Sequence, residues 1–518
     1  MHGTDGAKAC QKASGGQQIH TSANFTKIQF MSTSRKTKVI SLSLAQGVLM
    51  LVSIASGMVF ARALEVTDYG TYLQTFLAYD FAVPLLTLGL PSSLYYFLPG
   101  AKERQKGMVL DNMLLLFFAG AIFSMFLILG GTELLAKRFN NPDLSITLRW
   151  MIFYPLYTFP IILGAILVIN DKVNLNAAYN VITGVIFTVG LIISAVVTKS
   201  YEAPILVRIL LPILFFPAAV YLSFKYVPGK WYKPDFSSML QMIKFAVPLG
   251  LASVLGTLTL QLANMIVSFL CTPEVFAVYA TGAKEVPFIG IITGSIAVVI
   301  MADMSQKCKE GDLKSALELF KKASVTSAYF LLPIMVFLLF YAESFIEVLY
   351  TDKYAGSVWP FRIFLFFLPI RIVYYGTAFI ALGKTKAILY RSAISLILTA
   401  IFCYLFTLWL GFIGAAIATV IVSYIWSIPY NLITLSKEFK CKPLYLLPLK
   451  KLGIILVLSL ISGIISAIFL LFHFSSFIVL LAGFSIFGIT YVSISYKYQP
   501  EFKEIIAPVI YKINRYKK

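Results

Sequence analysis

Apolar residues along this chain neither alternate nor keep to one helical face. They run together in long stretches separated by short polar segments, the pattern of helices surrounded by lipid. A helix rising about 1.5 Å per residue needs about twenty such residues to cross a hydrocarbon layer of about 30 Å. The runs predict fourteen spans, at about 39–63, 71–97, 108–130, 149–169, 177–198, 203–223, 245–270, 275–302, 323–349, 359–381, 388–410, 411–434, 452–472 and 475–495. The division at Gly411 leaves almost no loop.

Lysine and arginine orient this array, because positive residues in short loops resist translocation. With the amino terminus inside, 33 of the 43 basic residues fall on inner segments, six fall on the opposite side and four lie within spans. Both termini are therefore expected in the cytoplasm. Trp150, Trp359 and Trp409 fall at predicted span ends, where an amphipathic ring favours the headgroup layer.

A motif recurs. Phe60-Ala-Arg-Ala-Leu-Glu-Val-Thr-Asp-Tyr-Gly-Thr-Tyr72 joins the first span to the second, and Ser268-Phe-Leu-Cys-Thr-Pro-Glu-Val-Phe-Ala-Val-Tyr279 repeats its plan. In each, an apolar helix ends at Leu (Leu64, Leu270), the turn carries an acid (Asp68, Glu274), and an aromatic, a small residue and a Tyr open the next helix. Six spans separate the copies, so both have one orientation. That predicts two six-helix lobes related by a pseudo-twofold axis along the membrane normal.

The expected organisation is an all-α polytopic membrane protein: a disordered leader or non-native extension at 1–30, an N-lobe at 31–224 and a cytoplasmic linker at 225–244. A C-lobe at 245–438 follows, and residues 439–518 hold spans 13 and 14 with a basic tail. Residues 1–30 have no apolar core resembling a signal peptide, and Met31 is a candidate natural start.

Composition narrows the class. With 59% hydrophobic residues, 13% charged and a mean hydropathy of +0.84, the chain has too much apolar surface for a soluble core. A net charge of +20 would suggest nucleic acid in a soluble protein; its placement in inner loops reads instead as topology, with a further capacity to attract anionic lipid headgroups. Five scattered cysteines and three distant histidines offer no disulfide framework, metal site or Ser/His/Asp triad. The inner loops contain no phosphate-cradling GxxxxGK[ST]. The longest outer loop, about Gly130 to Leu148, is too short for a catalytic domain.

Polar groups at mid-helix are the candidates for function, since one Arg, Lys or Asp there costs about 2.5–3.5 kcal/mol on insertion scales and needs a partner or a wet cavity. Asp80, Lys284, Glu285 and Arg371 all count inward to near the midplane. Two of the three spans that carry them, 2 and 8, follow the repeated motif and should line an interlobe cavity. Asp80 with Lys284, or Glu285 with Arg371, also fit as charge pairs that only fasten helices together. Arg208 and Arg362 fit snorkelling positions near the outer surface, and Arg62 fits an interfacial anchor as well as a ligand contact. Gln46, Gln261 and Asn264 fit interhelical hydrogen bonding.

The opening motif resembles the F-A-R-x-L…Y-G-x-Y start of the polysaccharide and O-antigen flippases, within the multidrug/oligosaccharidyl-lipid/polysaccharide exporter superfamily. Val275-Phe-Ala-Val-Tyr279-Ala-Thr-Gly-Ala-Lys284 resembles the second-lobe V-G-x-Y-x-x-A-x-K, with Ala277 in place of Gly. Phe345-Ile-Glu-Val-Leu-Tyr-Thr-Asp-Lys-Tyr354 resembles the turn after span 9, with Thr351 where Gly is common. Leu382-Gly-Lys384-Thr-Lys386 and Gly411-Phe-Ile-Gly-Ala-Ala-Ile-Ala-Thr419 resemble the signature of spans 10 to 12. The likeness covers roughly residues 38–440.

The resemblance implies a V-shaped pair of bundles in the inner membrane, moving polyprenyl-diphosphate-linked oligosaccharide to the outer leaflet by alternating access. It implies no catalytic residue, metal or cofactor. Arg371 and Lys284 would contact the diphosphate or an acidic sugar, Arg62 would guard the outer end, and Asp80 or Glu285 would tune them or couple to H+ or Na+. The expected partners are the lipid-linked substrate, membrane lipid and glycan assembly proteins, with no nucleic acid. Two alternatives remain. An ion-coupled exporter of small cations would favour an acidic cavity, and a polyprenyl-dependent glycan polymerase or ligase would need a large outer loop.

Overall fold

The computed structural model describes residues 46–157, 162–472, 474–505 and 507. The leader, the start of the first span and the end of the basic tail lie outside the described residues. Among the described residues the regular structure is helical throughout. The helices are α1 Gln46–Ala63, α2 Val66–Thr87, α3 Leu90–Phe97, α4 Gln105–Phe126, α5 Thr132–Arg138, α6 Leu144–Trp150 and α7 Leu163–Ile169. There follow α8 Val173–Thr198, α9 Glu202–Lys225, α10 Phe236–Leu270, α11 Pro273–Gly282, α12 Ile289–Lys309, α13 Leu313–Phe340 and α14 Ala342–Tyr350. The last are α15 Val358–Leu365, α16 Leu368–Arg371, α17 Tyr375–Ala381, α18 Thr385–Leu410, α19 Phe412–Val422, α20 Ile428–Glu438, α21 Leu449–Ser466 and α22 Ser476–Tyr498.

Eleven helical stretches among the described residues are long and apolar enough to cross a membrane. The expected fourteen are not matched one for one, because several apolar runs are broken. The run 149–169 is α6 and α7 with Met151–Tyr157 wound as a 3₁₀ helix. The run 275–302 divides into α11 and α12 across residues 283–288, where Pro287 removes an amide donor and Phe288 takes a left-handed φ of 67°. The run 323–349 turns at Tyr341 into α14, and 245–270 forms the later part of the 35-residue α10. Gly411, with φ 61°, separates α18 from α19 as the sequence suggests. The stretch Gly130 to Leu148, expected as a loop, instead carries α5 and most of α6.

Half of the segment expected as a linker at 225–244 is helical, since α9 runs to Lys225 and α10 begins at Phe236. The ten residues between are held down. Arg104 bridges Asp235 at 2.5 Å and Asp111 at 3.1 Å, the Asp235 amide donates to Asp111 at 3.0 Å, and the Lys230 amide donates to the Glu103 carbonyl at 2.9 Å. The hydrogen bond from Arg104 holds the Asp235 carboxyl below its ordinary range.

α10 joins the two halves of the chain. It packs on α2, α3 and α4 as well as on α18 and α19, while α2 packs directly on α11. Large buried rings, among them Phe76, Phe276, Tyr279, Tyr341 and Tyr354, fill the shared core. α21 and α22 pair with each other and rest on α13 and α14 respectively. Tyr341 wedges beneath them, donating to the Ser466 carbonyl at 2.6 Å.

Candidate transport cavity

The two copies of the repeated motif meet at the heart of the interface between the halves. Gly70 on α2 lies so close to α11 that a Cβ there would fall 2.1 Å from the Pro273 carbonyl oxygen, which is why a residue without a side chain stands there. Beside it Gln74 donates to Ser268 at 2.9 Å, and Asn141 donates to Gln74 at 2.8 Å and Thr71 at 2.9 Å. Buried amides require such partners. Phe139 stacks on Phe269 at 5.3 Å, and Tyr69 meets Tyr354 edge-on at 6.2 Å.

Arg62, at the end of α1, adds a second fastening. Its guanidinium donates to the carbonyls of Val348 at 2.6 Å and Leu349 at 2.8 Å, two of the unpaired acceptors that the last turn of α14 leaves free. The negative end of that helix favours the cation. Lys353 reaches back to Glu65 at 3.1 Å. These contacts join 62–65 to 348–353 and close this end of the bundle.

A cavity of 290 Å³ lies behind the fastening. α1 contributes Ser53, Gly57 and Phe60, α2 contributes Tyr69 and Tyr72, and the opposite wall is α14 with the broken segment after α11. That segment carries Lys284 and Glu285 into the lining. Gly282 fixes it, since a Cβ there would sit 2.3 Å from the Ser357 carbonyl, and Ser357 donates to the Val278 carbonyl at 2.7 Å.

A second break faces the first. α15, α16 and α17 divide the run 359–381, and Arg371 at the end of α16 makes a two-nitrogen contact with one Glu285 oxygen. Both side chains remain close to half exposed, at 47% and 44%, so the pair is not sealed within helix contacts. Irregular backbone at membrane depth is tolerated where it lines such a cavity. Lys284 is exposed, has no carboxylate partner among the described residues, and lies 5.9 Å from the Tyr350 ring centre.

Asp80 goes elsewhere. Its carboxylate lies 3.6 Å from Arg208 of α9, so it forms no pair with Lys284. Arg208 does not snorkel freely: it donates to the Tyr72 hydroxyl at 3.3 Å and its guanidinium lies 3.6 Å from the Phe76 ring centre, a cation–π distance. Arg362 pairs with Glu343 at 3.2 Å, and Asn264 donates to Gln261 on its own helix at 3.0 Å. No cluster of metal-ligating side chains occurs among the described residues.

Residues 59–359, more than half of the chain, match the family model described as polysaccharide biosynthesis protein. The chain belongs to this family. No curated protein matches its sequence. Among solved structures, this polysaccharide biosynthesis protein is similar to the lipid II flippase MurJ in an inward closed conformation, at 20% identity and a TM-score of 0.70, covering 88% of this chain and 99% of that one. It is also similar to an inward-facing multidrug resistance MATE transporter of the MOP superfamily, at 13% identity and a TM-score of 0.61, over 78% of this chain and 99% of that one. A MOP superfamily transporter from Pyrococcus furiosus, described as having a binding pocket of reverse polarity, follows at 14% identity and a TM-score of 0.55, over 78% and 95%. The family member described here therefore has the MurJ and MATE fold in an integral membrane protein.

Proposed function

We propose that this polysaccharide biosynthesis protein is a flippase that carries a polyprenyl-diphosphate-linked oligosaccharide, an O-antigen, capsule or exopolysaccharide repeat unit, from the inner to the outer leaflet by alternating access. The observation that carries the reading is the gathering of two cations, Lys284 in the cavity lining and Arg371 beside it, around the single carboxylate Glu285. Lys284 without an acidic partner stands next to the exposed Glu285–Arg371 pair, where two helix breaks face each other. A diphosphate cannot enter hydrocarbon unpaired. Lys284 and one face of Arg371 supply donors for it, while the polyprenyl tail stays in lipid.

The cavity volume of 290 Å³ lies at the lower edge of the range for small-ligand sites, about 300–1,000 Å³. An oligosaccharide head therefore requires the halves to part, and Arg62 and the Gly70 contact belong to the end that closes. In this reading residues 31–224 and 245–438 act as rocking lobes. Both termini and the basic loops lie on the cytoplasmic side of the inner membrane. Asp80, paired with Arg208, or Glu285 couples movement to H+ or Na+. Glycan assembly proteins supply the substrate, and the protein itself makes and breaks no covalent bond.

An exporter of small cations, the second reading, would be expected to present more acid than base to the cavity. Within the lining Lys284 and Glu285 balance, and Arg371, which touches Glu285 from beside the cavity, adds the extra positive charge.

Alanine at Arg371 and Lys284 together should abolish surface glycan export and leave membrane abundance intact, with lipid-linked intermediates accumulating in the inner leaflet. Unchanged export in that double variant would remove both residues from the mechanism.

A further inference from the structure

A second concavity, unrelated to the interlobe cavity, lies at the basic end of the C-terminal half. It is a groove of 1220 Å³ between the start of α13, the segment 444–451 and the residues after α22. Six lysines line it against three glutamates: Lys307, Lys314, Lys321, Lys322, Lys450 and Lys451 face Glu318, Glu501 and Glu504. Three lysines are engaged, Lys307 with Glu310 at 3.0 Å, Lys321 with Glu318 at 3.6 Å and Lys451 with Glu501 at 2.5 Å. Lys314, Lys322 and Lys450 are exposed and have no carboxylate partner among the described residues. Between them stand Leu444, 67% exposed, and Tyr445, 59% exposed, the latter under the Lys321 ammonium at 3.5 Å.

Tyr329 in the floor of this groove is also a wall of a second space, an apolar trench of 550 Å³ between α13 and α22. Phe330, Pro333 and Phe337 form one side, Leu481, Phe484 and Gly488 the other. The phenol of Tyr491 is spent on the Tyr329 carbonyl at 3.0 Å, which leaves the trench apolar. α22 is fixed at its two ends. Ser476 donates to Glu347 at 2.7 Å, and Phe502 packs on Tyr329 and Tyr491 with ring centres 5.2 and 5.9 Å away. Between these ends Phe337 meets Phe484 and Phe487 with ring centres 5.6 and 5.4 Å away, and a groove of 550 Å³ stays open beside those rings. Where such a groove faces a bilayer, lipid chain would fill it, since lining atoms without neighbours forfeit their dispersion energy.

We propose that an anionic glycerophospholipid of the bilayer is a bound component of this site, with its phosphate headgroup on Lys314, Lys322 and Lys450 and an acyl chain laid along the trench between α13 and α22. Charge complementarity selects the headgroup and the join at Tyr329 selects a molecule with a tail; an acidic soluble partner would leave the trench unused. The lipid completes the attachment of α21 and α22 to the C-terminal half. Phe345 lines both the trench and the interlobe cavity, so the test separates a resident phospholipid from the tail of the transported substrate.

The test uses the full chain purified in mild detergent and native mass spectrometry with phosphatidylglycerol against phosphatidylcholine of the same chains. The wild type should retain one phosphatidylglycerol in preference to phosphatidylcholine. The triple variant K314Q/K322Q/K450Q should bind it roughly a hundredfold more weakly, from on the order of fivefold per lysine near an anionic headgroup. Gly488→Phe, where an added Cβ meets open space, should displace the lipid while keeping the lysines. Equal retention of the two lipids by the wild type, or selectivity unchanged in both variants, overturns the proposal. So does displacement of phosphatidylglycerol by an equimolar polyprenyl diphosphate, which would assign the groove to the substrate.

Discussion

Replacing Gly70 by Ala offers the sharpest probe of how the two halves meet. The new methyl would lie 2.1 Å from the Pro273 oxygen and 2.6 Å from its carbon, more than an ångström inside van der Waals contact. The obstacle is backbone, so it cannot rotate away; α2 and α11 must separate. Overpacking of this kind costs about 1–3 kcal/mol. In an alternating-access protein that cost falls on the state in which these helices touch and is absent once they part. The equilibrium should therefore shift about 5- to 150-fold toward the conformation open at this end. Spin labels on cysteines replacing Glu65 and Lys353, 3.1 Å apart in the ion pair, would read the closed state by dipolar broadening and the opened one by pulsed electron resonance, against the same doubly labelled, otherwise cysteine-free chain with Gly70 in place. A population at longer distance should appear in Gly70→Ala, with the variant present in the membrane at normal abundance. An unaltered distance distribution in a well-folded variant would refute the idea that the Gly70–Pro273 contact belongs to one state of a two-state cycle.

Other expectations follow from the charged residues. Arg62→Ala removes three donated hydrogen bonds, to Met58, Val348 and Leu349, and should shift the same distance distribution in the same direction; Arg62→Lys, which cannot fork across two carbonyls, should restore only part of it. Asp80→Asn should lower the thermal midpoint by leaving Arg208 without its counter-charge, a loss of about 1 kcal/mol for this partly exposed pair. The double variant D80N/R208Q should lie closer to wild type than the two single losses added together, read by a double-mutant cycle in detergent. At the linker, the folded-state pKa of Asp235 is depressed by Arg104. Its contribution is thus complete above the ordinary Asp value and is lost as pH falls through the depressed one. Amide exchange in residues 226–235 should stay slow from neutral pH to the usual carboxylate range and rise only below it, whereas Arg104→Ala should raise it already at neutral pH.

Much of this architecture is written in the chain's hydropathy. Apolar run length locates the helices, and the echo of Tyr69-Gly-Thr-Tyr72 in Phe276-Ala-Val-Tyr279 marks two segments that prove to pack on each other. The breaks are less legible. Pro287 announces one, but the division of 359–381 at Arg371 depends on tertiary contacts that hydropathy does not encode. Arg208 was readable in principle. It shares a helix face with buried Ile205 and Ile209, while Leu206, Leu210 and Leu214 face outward, a periodicity that places the guanidinium inside. The pairing of Asp80 with Arg208, 128 positions apart, needed the fold, as did Arg62 reaching the end of α14.

The contact between Leu88–Gly89 and Gly250 has a mechanical meaning. A Cβ at Gly250 would meet the Leu88 oxygen at 2.2 Å, and one at Gly89 would meet the Gly250 Cα at 3.0 Å. Two backbones touch there directly, beside the stacked rings of Tyr96 and Phe245 at 4.5 Å, while α10 grips α18 farther along. If the halves rock as proposed, such a point would let them roll without withdrawing knobs from holes, in the manner of a fulcrum. A methyl group at either glycine would turn that bearing into a ratchet tooth.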